Sequence, residues 1–404
     1  METKPNVSFE NTAVAFAHKS DSALRRMRVL FKMMHYPFLL HTGIRLANWG
    51  LKWRLPINGL IKSTVFEQFC GGEDIPSCRP KIEELDRFGV GTILDYSVEG
   101  KKDIPSFERT KEQVILTIRE GKNNPKLPFA VFKVSGIANV DVLTKVQAGV
   151  MLDEEEKEAL ARAQRRINEI FESAASAGVR IMVDGEESWF QDVIDSWVQA
   201  AMATYNRETA IVYNTFQLYR HDMLRRLKDA HHDAVAKGYF LGAKLVRGAY
   251  MEKERERAKA MGYPSPIQPD KAATDRDYDR ALQFCINNKQ RIFLVSGTHN
   301  ELSNLVLSEL VDLHGMKRSD PRVYAAQLYG MSDAISFNLA SAGFNTAKYL
   351  PYGPVGEVLP YLSRRVEENS GIAGQSSREY TQIKKELVRR KQRKQSAFPA
   401  IGKN

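Results

Sequence analysis

Cysteine is scarce: three in 404 residues, Cys70, Cys78 and Cys285, an odd number with no histidines at metal-ligand spacing. That argues against a disulfide framework and for a reducing compartment. Long apolar runs are missing as well. Near the N-terminus the longest stretch without Asp, Glu, Lys or Arg is 33–44, too short for the roughly 20 residues of a membrane-spanning helix. The opening METKPNVSFE has no apolar core and carries Glu2 and Glu10, so it reads as neither a secretory signal nor an Arg-rich transit peptide. The Gly-x-Gly of FGVGTILDY precedes a strand and not a helix, so the phosphate fingerprint of a doubly wound fold fails. No serine elbow and no Cys–His arrangement occurs. His231 and His232 read as a solvated mid-helix pair beside Asp233, and no metal site is expected.

The net charge of +10 sits at the ends. Residues 1–80 hold eleven Lys/Arg against six Asp/Glu, residues 371–404 hold nine against two, and the stretch between is slightly acidic. Basic ends favour anionic surfaces, a membrane or nucleic acid. The stretches ALRRMRVLFKMM and GIRLANWGLKWRLP mix apolar residues with Arg and Lys. They suit either an interfacial amphipathic helix or an arm packed on a domain surface.

From residue 90 short β-branched or aromatic runs alternate with longer charged segments of helical period. The runs cover 91–99, 129–137, 179–187, 210–219, 242–250, 291–300, 323–330 and 346–353. One intervening helix is expected to start at an N-cap, Asp153, and stop at Gly178. Eight such units in about 280 residues predict an α/β protein with a (β/α)8 barrel. The expected organisation is an N-terminal helical arm (1–88), the barrel (89–370) and a basic C-terminal helical tail (371–404).

Chemistry in this fold sits at the C-terminal strand ends. In chain order these carry Lys133; Asp184, Gly185, Glu186 and Glu187; Gln217; Lys244, Arg247, Gly248, Ala249 and Tyr250; Thr298, His299 and Asn300; Gln327 and Tyr329; and Tyr349. A nearly complete ring of polar groups is more than stability requires. After the last strand, YLPYGPVGEVLPYLSRRVEENS places Tyr361, Arg364, Arg365 and Glu368 on one side of a helix. Two chemistries fit. A strand-end lysine could form a Schiff base, as in an aldolase. Alternatively, the cations could bind an anionic cofactor and an anionic substrate, with VRGAY offering backbone donors and an arginine to phosphates.

KLVRGAYMEKERERA, VDGEE, GTHN and YLPYGPVGEVLPYLSRRVEEN, in this order between about residues 90 and 370, closely resemble the proline dehydrogenase (proline oxidase) family. The resemblance implies a distorted TIM barrel, non-covalent FAD, and oxidation of L-proline to 1-pyrroline-5-carboxylate. It implies electron transfer to membrane ubiquinone or menaquinone, and hence a use for the basic ends in peripheral contact with anionic lipid. The implied location is cytoplasmic, peripheral on a bacterial inner membrane, with no nucleic-acid partner. Carried over by position, Asp184 and Lys244 lie beside the flavin as catalytic residues. Gly185, Gln217, Val246, Arg247, Gly248, Ala249, Tyr250, Lys271, Thr274, Thr298, His299, Asn300 and Gln327 bind the cofactor. Lys133, Tyr349, Tyr361, Arg364, Arg365 and Glu368 surround the substrate. Two departures stand out. Many long bifunctional bacterial members have Arg where this chain has Lys244, so it resembles the monofunctional branch. Those members also place a glutamine where this chain has Ala326, one residue before Gln327. Relatives that prefer 4-hydroxyproline carry a smaller residue than Tyr349. The rival enzymes are another flavin barrel, such as a methylenetetrahydrofolate reductase, and a Schiff-base aldolase.

Overall fold

The computed structural model describes residues 7–34, 53, 58–98, 103–371 and 375–397. Eight strands follow one another in sequence and in space: β1 (Val90–Tyr96), β2 (Phe129–Phe132), β3 (Ile181–Val183), β4 (Val212–Gln217), β5 (Leu241–Val246), β6 (Ile292–Gly297), β7 (Val323–Leu328) and β8 (Thr346–Tyr352). All neighbours are parallel, and β8 pairs back on β1 to close the barrel. Pairing is uneven. β1 and β8 align over seven residues, Val90 to Tyr96, whereas β3 and β4 share only Ile181–Val212 and Met182–Tyr213. The observed strands are shorter than the sequence runs because the polar top ends leave the sheet; Val134–Gly136 already turns as a 3-10 helix.

The long helix Glu154–Ala177 shows why the crossovers form where they do. Asp153 accepts from the Glu156 N–H at 2.9 Å in a capping box, and Gly178 ends the helix at φ 67°. Only glycine takes that left-handed conformation without cost. Outward-facing residues of the strands, Ile181, Val183, Val212, Leu241, Leu245 and Leu294 among them, join helix residues in the main core. Inward-facing Ile93, Phe129, Val131, Met182, Tyr213, Val295 and Tyr349 fill the barrel. Phe129 meets Tyr213 and Tyr324 edge-on at 5.4 and 5.0 Å between centroids, so the lower barrel is a packed floor.

The two ends of the chain meet. Helix α1 (Asp21–Met34) and the C-terminal helix α2 (Gln375–Ala397) pack on the helix after β8, Leu359–Gly371. Leu24, Met27, Phe31, Phe66, Val358, Tyr361, Leu362, Val366 and Ile383 share one apolar cluster. Much of the tail's basicity is spent on the arm. Arg390 and Lys394 reach Asp21 at 2.9 and 2.6 Å, and Arg378 and Lys385 reach Glu10 at 2.9 and 2.8 Å. Glu386, fully buried, accepts from Arg389, Arg390 and Thr12. Lys384, Lys391 and Arg393 stay exposed. Among the described residues no helix is long and apolar enough to cross a membrane.

Candidate active site

Side chains alternate along a strand, so parity decides what reaches the barrel mouth. Asp95, Lys133, Asp184, Gln217, Lys244, Val246 and Tyr349 share the inward phase of Ile93, Val131, Met182, Tyr213 and Ala347. Two acids, Asp95 and Asp184, and two cations, Lys133 and Lys244, thus converge on the C-terminal rim from four strands. Lys244 is its centre. It is 5 % exposed, its Nζ donates to Asp184 Oδ1 at 2.5 Å, and it lies 4.8 Å above the Tyr349 ring. Tyr349 in turn points its hydroxyl at Met182 Sδ, 3.6 Å away. Burial first, then the Asp184 and Asp95 carboxylates, push its phenol well above the usual range.

The flank over β4–β6 brings two cations together beside a helix N-terminus. Arg247 donates to Asp275 at 2.7 Å, Thr298 at 2.6 Å and Ser303 at 3.0 Å, and stacks over Tyr278. Lys271 pairs with the same Asp275, at the start of helix Lys271–Asn287, which Asp270 caps. Two cations that share the Asp275 carboxylate thus stand beside a helix N-terminus capped by Asp270, the kinds of donor a pyrophosphate asks for. Gly248 is exposed at φ 135°, and a Cβ there would lie 2.4 Å from the Tyr219 ring. Gly185 is similarly tight: its Cβ would meet the Gln217 amide at 2.9 Å. Gln217 itself donates to the Glu186 carbonyl at 2.7 Å. Ala249 is exposed, and Thr274 is buried with its hydroxyl on Asp270. Asn300 caps the helix Glu301–Leu313 through the Ser303 N–H. His299 is pushed down to about 3 by burial and then by Lys348, Arg365 and Arg247, so it is neutral at physiological pH.

The other side, over β1–β3, opens into a cavity of about 210 Å³ lined by Asp95, Lys133, Glu186, Tyr250 and Arg364. Arg365, the next residue, is buried, with its guanidinium 5.1 Å from the Tyr361 ring centroid. Tyr361 belongs to the arm cluster and backs Arg365. Glu368 lies on the same helix, but its side chain falls outside the described residues.

One expectation needs correction. Gln327 has the outward phase of β7, away from the mouth, because Tyr324 and Ala326 face inward. It is 2 % exposed, donates to the Thr298 carbonyl at 3.1 Å and accepts from Ser336 at 2.7 Å. Its side chain is turned into the helix layer beside Thr298 and Ser336. Conversely, Asp95 and Asp275 were not singled out by sequence. Asp95 had a findable signal, an acid in phase with the inward Ile93 of TILDY. Asp275 showed only its helix pair with Lys271, four residues earlier; Arg247, its second cation, comes from another segment.

Glu186 is 2 % exposed and accepts from the Ser135 N–H at 2.9 Å. Burial raises its carboxyl from 4.5 to about 7, against the Ser135 bond and Lys133, with Glu187 adding to the rise. A raised carboxyl stabilises the fold fully below its unfolded value and loses that contribution as pH climbs through the folded one. Ionising it in place costs about 3 kcal/mol. Glu186→Gln keeps an oxygen for Ser135, so it should be more stable than the parent at pH 8 and not at pH 4.5. Denaturant unfolding at both pH values checks this; a difference independent of pH contradicts it.

The family model described as proline dehydrogenase matches residues 78–378. Proline dehydrogenase 1, mitochondrial, of Dictyostelium discoideum is 31% identical over 94% of this chain and 74% of its own length. Hydroxyproline dehydrogenase of Xenopus laevis is 29% identical over 95% and 90%. The crystal structure of proline utilization A from Bdellovibrio bacteriovorus inactivated by N-propargylglycine superposes with a TM-score of 0.70 at 15% identity. It covers 92% of this chain, which spans only 40% of that protein's chain, and shows the shared barrel. With the family model covering most of the barrel and its mouth, the chain belongs to the proline dehydrogenase family.

Proposed function

We propose that the protein oxidises L-proline to 1-pyrroline-5-carboxylate with bound FAD and passes the electrons to a membrane quinone. The observation that carries this reading is the meeting, at one barrel mouth, of a flank with Arg247 and Lys271, the buried Lys244–Asp184 pair, and a cavity that Lys133 and Arg364 line together with Asp95 and Glu186. Arg247, Lys271 and the exposed Gly248–Ala249 backbone would hold the pyrophosphate. Asp184, Gln217, Lys244 and Val246 would border the flavin ring, with Thr274, Thr298, His299, Asn300 and Tyr250 along the remainder. When bound, FAD accepts the two electrons, as a hydride, from the carbon beside the ring nitrogen.

The chain's own residues do the rest. Proline carries a carboxylate and a secondary ammonium. Arg364 and Arg365 suit the carboxylate through charge-assisted, forked hydrogen bonds, with Lys133 adding positive charge. Glu368, four residues after Arg364 in the sequence, would take the ammonium. Tyr349 walls the ring from below. The Asp184–Lys244 pair fixes a positive charge at the centre of the mouth, where negative charge develops on oxidation. A Schiff-base lysine needs a free amine, whereas Lys244 is buried and ion-paired to Asp184; this disfavours the aldolase. For the acceptor, the outer face of α1 offers Arg25, Arg28, Lys32, Val29 and Met33 to a lipid surface, the last two 55 % and 52 % exposed. The reaction is tested by incubating the flavin-loaded protein with L-proline and a soluble quinone and trapping the cyclic imine with o-aminobenzaldehyde. Proline-dependent adduct supports it, and its absence refutes it.

Tyr349 also sets the substrate. Its phenol fills the space under Lys244, which leaves little room for a ring hydroxyl. Steric exclusion of this kind is worth about 10–200-fold. L-Proline should therefore beat trans-4-hydroxyproline in kcat/KM, and Tyr349→Ser should narrow the gap, mainly by weakening proline. Parallel assays of both substrates decide it; equal wild-type activity on both removes Tyr349 as the gate.

A further inference from the structure

Ser332 is held in an unfavourable backbone conformation. At φ 54° and ψ 41° it lies in the left-handed region, which among the described non-glycine residues only Asn123 also occupies. Such strain persists where the surroundings over-determine it, and it clusters at working sites. Ser332 is also the N-cap of helix Asp333–Ser341, a place where a serine hydroxyl ordinarily accepts from the helix, yet it makes no side-chain cap bond. Its hydroxyl lies instead 2.8 Å from His299 Nδ1.

The strained turn is clamped from several sides. The Ser332 N–H donates to Glu379 on the C-terminal helix α2, a side chain only 7 % exposed. The next residue, Asp333, is paired with the fully buried Lys348 at 2.8 Å and with His18 of the N-terminal arm at 3.3 Å. Lys348 also donates to the Met331 and Leu328 carbonyls. Beside Glu379, Arg378 pairs with Glu301, the residue after Asn300. The C-terminal helix therefore reaches the Thr298–His299–Asn300 segment from two sides, through Ser332 on His299 and through Arg378 on Glu301.

We propose that Ser332 is a positioning residue for His299, and that Glu379 of the C-terminal helix holds Ser332 in the conformation that orients the imidazole toward the cofactor. The tail is then part of the cofactor site's support. This rests on the reading of His299 as a residue that meets FAD.

Glycine adopts the left-handed conformation freely, so Ser332→Gly removes the hydroxyl without opposing the turn. The measurements are the dissociation constant of FAD for the apoprotein, by flavin fluorescence titration, and the unfolding midpoint of each variant. Ser332→Gly should bind FAD about tenfold more weakly, the worth of one oriented hydrogen bond, while its unfolding midpoint is unchanged or higher. Glu379→Ala should weaken FAD similarly, and Glu379→Gln, which keeps an oxygen for the Ser332 N–H, should restore it. Wild-type FAD affinity in Ser332→Gly overturns the inference and leaves the proposed function standing. A wild-type protein that binds no FAD overturns the proposed function itself.

Discussion

Arg365→Met raises the KM for L-proline steeply and leaves FAD bound. Arg365 is 8 % exposed and rests on Tyr361, while its neighbour Arg364 lines the cavity that also holds Lys133. A buried guanidinium that receives a carboxylate cannot be replaced by solvent. Losing such a partner costs about 2–5 kcal/mol, a factor of roughly 30 to several thousand in kcat/KM. Methionine keeps the apolar stem and loses only the guanidinium, and Tyr361, Leu362 and Val366 still anchor the helix, so it should stay docked on the arm cluster. The contrast between KM and unfolding midpoint is decisive. A normal KM with a lowered midpoint would make Arg365 a packing residue and move the carboxylate site elsewhere. Because Arg365 helps keep the neighbouring imidazole unprotonated, the variant should also let His299 protonate at a somewhat higher pH.

Lys244→Met slows the reductive half-reaction by about 10²–10³ with little change in KM. Lys244 is 5 % exposed between Asp184 and Tyr349. A preorganised positive charge beside a centre that becomes more negative acts mostly on the rate, and removing one such group commonly costs that much. The variant also strands the Asp184 carboxylate, and leaving one partner of a largely buried pair behind is destabilising. The double variant Asp184→Asn/Lys244→Met separates the two effects. Stability should return, because no lone charge remains, and the rate should not. Stopped-flow reduction by proline and thermal unfolding report on each separately. Recovery of the rate in the double variant would reduce Lys244 to a counter-ion for Asp184.

Much of this arrangement was legible in the sequence for a simple reason: local periodicity and caps are local physics. Asp153 and Gly178 mark their helix because capping and the left-handed stop depend on a few neighbouring residues. The eight strand runs stand out because parallel strands buried on both faces read as apolar blocks. Parity is less visible. VYAAQLYG has alanine on both phases of β7, so nothing local says whether Ala326 or Gln327 faces inward, and the one-residue difference sends Gln327 to the helix layer. The helical wheel grouped Tyr361 with Arg364 and Arg365, but a wheel cannot show that the helix is covered by the arm as well as by the barrel. The clasp of Asp21 on Arg390 and Lys394, and of Glu379 on Ser332, joins residues far apart in the chain; only the folded chain brings those charges together. The same holds for Asp275, which becomes the shared counter-charge of Arg247 and Lys271 once the loop after β5 folds over its helix.

The most direct test of the central claim is the visible absorption spectrum of the purified protein, recorded anaerobically before and after L-proline. The account predicts a yellow protein whose flavin band bleaches when proline is added and returns when a quinone follows. A colourless protein, or a flavin that dithionite reduces and proline does not, would contradict it.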